Sequence, residues 1–178
     1  MIQTVQNEQA TKMGNWIATR LDKYEALIFL ILIFALILKT TTDIPINTLI
    51  VLALMSMAIM YFFSGFANIN FDYAGGLDIF FHKLASWGCS IGIIGILFRL
   101  QSWASYDLMI WVGCATILII LPFILYRKSK NEELKLFNSR YVLRIVLICI
   151  IGFFMAYVPN DVLVKSKIIT QPNIEKTN

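Results

Sequence analysis

Between Ile44 and Ala67 the chain runs for 24 residues without a charged side chain. An α-helix needs about 20 apolar residues to cross the hydrocarbon of a bilayer. Leu108 to Tyr126 is a second such run, of 19 residues. Leu84 to Phe98 is shorter and reaches a crossing length by taking in Phe80, Phe81 and His82 upstream. Ile145 to Asn160 crosses if Arg144 snorkels to the interface. Ala26 to Leu38 has 13 residues and needs Lys39 to snorkel, with Thr40 to Thr42 completing the helix through hydroxyl bonds to helix carbonyls.

Five spanning helices is the reading these runs favour, and four with an interfacial first segment is the alternative. Composition agrees. Hydrophobic residues make up 58% of the 178, charged residues 15%, and the mean hydropathy is +0.73. A soluble globule of this size has too much surface to hide that surplus, so a soluble enzyme, a disordered tail and a secreted scaffold are excluded. Cys89, Cys114 and Cys149 each lie inside an apolar run, and an odd count there argues against a disulfide framework.

The expected fold is therefore all-α, a polytopic membrane bundle of two parallel helical hairpins and a C-terminal helix. The expected divisions are an N-terminal arm (1–24), hairpin 1 (25–67), a linker (68–78), hairpin 2 (79–126), a basic loop (127–140), a fifth helix (141–158) and a tail (159–178). The first 24 residues are polar and no cleavage pattern follows the apolar run, so they read as a retained arm rather than a secretory signal.

Basic residues mark the cytoplasmic loops of membrane proteins. With the N-terminus inside, ten basic residues (Lys12, Arg20, Lys23, Lys83, Arg127, Lys128, Lys130, Lys135, Arg140, Arg144) face the cytoplasm. Five (Lys39, Arg99, Lys165, Lys167, Lys176) face away. The expected location is a bacterial inner membrane with a cytoplasmic N-terminus, and the net charge of +4 is read as topology, not nucleic-acid binding.

Sliding the chain by 60 residues aligns the two hairpins without a gap. Lys39 then falls on Arg99, Asn47 on Asp107, Ile50 on Ile110, Ser56 on Thr116 and Phe63 on Phe123. A basic residue ends the first helix of each hairpin and an Asn or Asp opens the second. Lys39, Asn47, Arg99 and Asp107 are thus candidates for docking a partner on the outer face, with Arg99 pairing to Asp107 and Lys39 to Asp43. Gly88, Gly92 and Gly95 form a small-residue face suited to close helix packing, inside the bundle or between chains.

The segments Gly92-Ile-Ile-Gly95-Ile-Leu-Phe98-Arg99-Leu-Gln-Ser-Trp103 and Asp107-Leu-Met-Ile-Trp-Val-Gly113-Cys-Ala-Thr116 resemble the transmembrane hairpin of the GldL family of Bacteroidetes gliding-motility proteins. The first hairpin matches more loosely, through Lys39 and Tyr61-Phe-Phe-Ser-Gly-Phe66. The resemblance covers about half the chain. It implies an inner-membrane subunit that assembles around a membrane partner. The family's proton-handling glutamate, however, falls on Ile117, and an isoleucine binds no proton. Its His falls on Ser102, its Pro-Gly on Ala104-Ser105, and its long cytoplasmic region has no counterpart. The resemblance thus implies a relative without the motor.

Catalytic constellations are thin. His82 has only Asp78, four residues earlier, as a nearby ligand type, and a zinc site takes three or four. No catalytic, metal or cofactor-binding residues and no cofactor are expected. The expected partners are membrane lipids and either a second copy or another membrane protein. The expected function is a non-enzymatic structural or accessory subunit related to GldL; the alternative is a small transporter or channel for an apolar or lipid-like ligand. A redox-accessory reading is weakest, given a single histidine.

Overall fold

The computed structural model describes residues 2–42, 46–67, 75–130, 137 and 139–169, with residues 2–7 and 22 described by backbone alone. Its elements are α1 (Ile2–Thr41), α2 (Asn47–Ser64), α3 (Gly76–Leu100), α4 (Tyr106–Lys130), α5 (Ser139–Tyr157) and the short α6 (Asn160–Lys165). There is no strand among the described residues. Five helices are long and apolar enough to cross a membrane: Lys23–Thr41 within α1, and the whole of α2, α3, α4 and α5. The chain is an all-α, multi-pass membrane bundle.

α3 is the central helix, packed by α2, α4 and α5, while α1 lies against α2. Its residues explain the position. Gly88, Gly92 and Gly95 are buried, as are Ala85 and Cys89, so neighbouring backbones can approach on more than one side. A methyl group added at Gly95 would lie 2.6 Å from the Ile110 backbone nitrogen, and one at Gly113 would lie 2.5 Å from the Gly92 nitrogen. α3 and α4 therefore meet backbone to backbone. On another face, the buried Ser90 hydroxyl donates to the Ala58 carbonyl at 2.8 Å, a polar tie to α2.

The N-terminal arm is not separate from the first span. α1 is one helix of 40 residues, about 60 Å at 1.5 Å per residue, roughly twice the hydrocarbon thickness. No proline interrupts it, and Gln, Ala, Lys, Leu and Arg favour helix throughout. Its buried stripe Gly14, Ile17 and Leu21 faces the bundle, where Gly14 sits against backbone atoms of Phe63, Phe66 and Ala67.

Other boundaries shift for identifiable reasons. α3 begins at Gly76 because the Gly75 N–H donates to the Asp78 carboxylate at 2.9 Å, closing the first turn. α4 continues through Pro122 to Lys130. A proline costs a helix one hydrogen bond, and here Ile117, Ile120 and Ile124 anchor the helix on both sides of it. Residues 158–169 fold back over one end of the bundle, burying Leu163 and Ile169.

Candidate functional site

The antiparallel connections put the starts of α3 and α5 and the ends of α2 and α4 at one end of the bundle. The ends of α1, α3 and α5 and the starts of α2 and α4 lie at the other. Polar side chains gather at both ends.

At the first end, Glu25 of α1 joins three helices. Its Oε2 lies 2.6 Å from Arg144 Nε of α5, and its Oε1 accepts a 2.5 Å hydrogen bond from the Tyr61 hydroxyl of α2. The charged side chains are 15% and 18% exposed, and Tyr61 is buried. Taking charges out of water is costly unless they are paired and hydrogen-bonded, and here both carboxylate oxygens are engaged. At the same end of the bundle, Asp78 at the start of α3 is closed by Arg127 of α4 through two 2.7 Å bonds.

Above Glu25 and Arg144 lies a cleft of about 340 Å3 between α1, α2, α3 and α5. Apart from that ion pair its walls are apolar, with Phe29 and Leu32 on α1, Met57 on α2, Ile93 and Ile96 on α3, and Leu147 on α5.

At the opposite end, the expected docking residues are drawn inward. Arg99 does not pair with Asp107. Its Nη2 donates to the Val158 carbonyl at 2.8 Å and its guanidinium lies 4.3 Å from the centre of the Tyr106 ring, leaving it 4% exposed. The carbonyl beyond the end of α5 and the ring face compete successfully because residues 158–169 close over this end. Asp107 stays exposed in the first turn of α4. Lys39 Nζ donates to the Ile168 carbonyl at 2.7 Å, and Asp43 lies outside the described residues. Asn47 is half-buried at the start of α2. Lys39 and Arg99, 60 residues apart, thus both bind the chain's own C-terminal segment.

The glycines occupy the interior. Gly88 faces Thr116 and Ile117, Gly95 faces Met109 and Ile110, and Gly92 meets Gly113 and Ile148. α4 and α5 of the same chain cover that face. Ile117, packed against Gly88, is 1% exposed.

His82 stacks on Tyr141, ring centres 5.1 Å apart, and the Tyr141 hydroxyl donates to the His82 carbonyl. The three thiols are buried, with Cys114 and Cys149 each directed at the other's carbonyl at 3.8 and 4.0 Å. Among the described residues no three His, Cys, Asp or Glu side chains gather as metal ligands.

Comparison with protein-family models, with curated proteins and with solved structures returned no match.

Sequence reasoning missed the Glu25–Arg144–Tyr61 network and the Asp78–Arg127 pair. From the sequence, Arg144 reads as a snorkelling residue and Arg127 as part of a basic loop. The available signal was Arg144 itself, a cation breaking an apolar helix, for which an intramembrane partner should have been sought.

Proposed function

We propose that the chain is a non-enzymatic accessory subunit of a bacterial inner membrane, N-terminus in the cytoplasm, that associates with a second copy or with a larger membrane complex. The observation that carries this is on α1. Leu27, Leu30, Phe34 and Ile37 are exposed by 54, 66, 57 and 54%, and they recur at intervals of three and four. That is the spacing by which one helix seats side chains between those of another. Met13 and Trp16 continue the stripe along the same helix, 49% and 54% exposed. The resemblance to GldL and the 60-residue repeat of the hairpins favour the same kind of role, with the proton-binding position replaced by Ile117. The excess of basic residues at the ends taken as cytoplasmic supports the orientation.

The test is gentle purification from native membranes after cross-linking at Leu30→Cys or Phe34→Cys. A defined complex, cross-linked through these positions and not through Ile119→Cys on exposed α4, supports the reading. A lone monomer without cross-links overturns it.

A second reading, a small transporter for an apolar or lipid-like ligand, is favoured by the cleft above Glu25. Ligand movement in sealed vesicles holding the purified chain would support it.

A further inference from the structure

An apolar cleft and a buried ion pair coincide where hydrocarbon surrounds the protein. The cleft is lined only by residues of the membrane-crossing segments of α1, α2, α3 and α5. Its rim is exposed, at Phe29 (37%), Leu147 (43%) and Leu143 (64%). A water molecule needs two to four polar partners to occupy a cavity. Only Glu25 and Arg144, at one end, offer charge here.

We propose that this cleft binds one acyl chain of a zwitterionic, amine-bearing phospholipid, with the headgroup phosphate at Arg144 and the ammonium at Glu25. The inference is independent of the accessory-subunit reading, which concerns a different face of α1, and shares its cleft with the transporter reading without requiring that any ligand be moved across the membrane. Glu25, Phe29 and Leu32 line the cleft, whereas Leu27, Leu30, Phe34 and Ile37 form the outer stripe.

The dimensions fit. From Arg144 to Ile151, both at the cleft, α5 rises about 10 Å at 1.5 Å per residue. One leaflet of the hydrocarbon is about 15 Å deep. A single chain therefore lies alongside the cleft for most of its depth, with its polar end beside the ion pair. The volume of about 340 Å3 falls at the lower end of the range for small-molecule sites, about 300–1,000 Å3.

The charges select the headgroup. A fatty acid or phosphatidylglycerol brings only negative charge, which Arg144 attracts and Glu25 repels. A phosphoethanolamine group brings both signs and can lie antiparallel to the Glu25–Arg144 pair, adding to the bonds that those residues already make. Glu25 is held in place for this by bonds to Arg144 and Tyr61 on its two oxygens, so the site is ordered before a headgroup arrives.

The experiment is native mass spectrometry of the delipidated full-length chain with phosphatidylethanolamine, phosphatidylglycerol and dodecanoate. One phosphatidylethanolamine per chain should be retained in preference to the other two. Ala26→Phe, at an exposed position lining the cleft, and Leu147→Trp should each weaken that retention about tenfold, the equivalent of ~1.4 kcal/mol. Glu25→Gln should instead turn the preference toward phosphatidylglycerol, because the repulsive charge is gone. A collapsed site would lose lipids without changing preference. Equal retention of all three lipids, or indifference to Ala26→Phe and Leu147→Trp, or an unchanged preference in Glu25→Gln, overturns the proposal. So does a protein helix found cross-linked into the cleft at Ala26→Cys.

Discussion

Arg127 grips Asp78 through two parallel hydrogen bonds of 2.7 Å, from Nε and Nη2 to the two carboxylate oxygens. The two partners are unequally placed. The Asp78 side chain is fully buried, and that of Arg127 is 35% exposed. The bond ties the first turn of α3 to the last turn of α4, closing one end of the central hairpin.

That inequality predicts an asymmetric response to mutation. Arg127→Gln leaves the buried Asp78 carboxylate with the Gly75 N–H but without its counter-charge, and should be the more costly change. Asp78→Asn leaves a cation that can turn toward water, and should cost less. Thermal unfolding of the two variants in one detergent checks the order. The double variant should be more stable than Arg127→Gln alone, because it removes the unpaired charge.

The glycines of the central hairpin should likewise respond unequally. Gly95→Ala and Gly113→Ala place a methyl group 2.6 and 2.5 Å from backbone nitrogens of the facing helix, which cannot rotate away. Overpacking of this kind costs about 1–3 kcal/mol or more. Gly92→Ala meets nothing nearer than the Ile148 methyl at 3.7 Å, an ordinary contact. Gly92→Ala should therefore unfold close to the parent temperature while the other two fall well below it. A uniform rise would mean that helix propensity, which favours alanine over glycine by about 1 kcal/mol, rather than interhelical distance, decides the matter.

Much of this architecture was legible in the charge pattern, for a physical reason. Hydrocarbon cannot solvate a free charge or an unpaired peptide group, so a long charge-free run has almost no option but a helix. Ile44 to Ala67 and Leu108 to Tyr126 announced α2 and α4 in this way. The helix ends were less legible, because polar residues such as Gln3 to Gln9 are equally at home in a loop and in a helix outside the bilayer. Side-chain partners were least legible. Proximity in sequence suggests that Arg99 pairs with Asp107, whereas Arg99 reaches the Val158 carbonyl 59 positions away. Glu25, Tyr61 and Arg144 come from three separate helices, and no spacing along the chain relates them.

The turn between α3 and α4 carries local strain that a single substitution should relieve. Ser105 adopts a φ of 63°, in the left-handed region where a Cβ is crowded. Ser105→Gly removes the crowding at an exposed site. The gain in the native state, about 1 kcal/mol, is partly offset by glycine's freedom in the unfolded chain. The net result should be a rise of up to a few degrees in unfolding temperature. A fall would show that the serine side chain, and not the backbone angle, holds the turn.

The proposed orientation can be read by labelling from each side of the membrane. Ser129 is exposed near the end of α4 and Lys165 is exposed in α6, with α5 between them. Cys89, Cys114 and Cys149 are buried and should react slowly with a charged maleimide, so a single introduced thiol dominates the signal. In intact cells Lys165→Cys should be labelled from outside, whereas Ser129→Cys should react only after the membrane is opened. The basic cluster Arg127, Lys128 and Lys130 at the end of α4 is the physical basis for that assignment. The reverse pattern would turn the protein over in the membrane. Labelling of both positions from one side would mean that α5 does not cross.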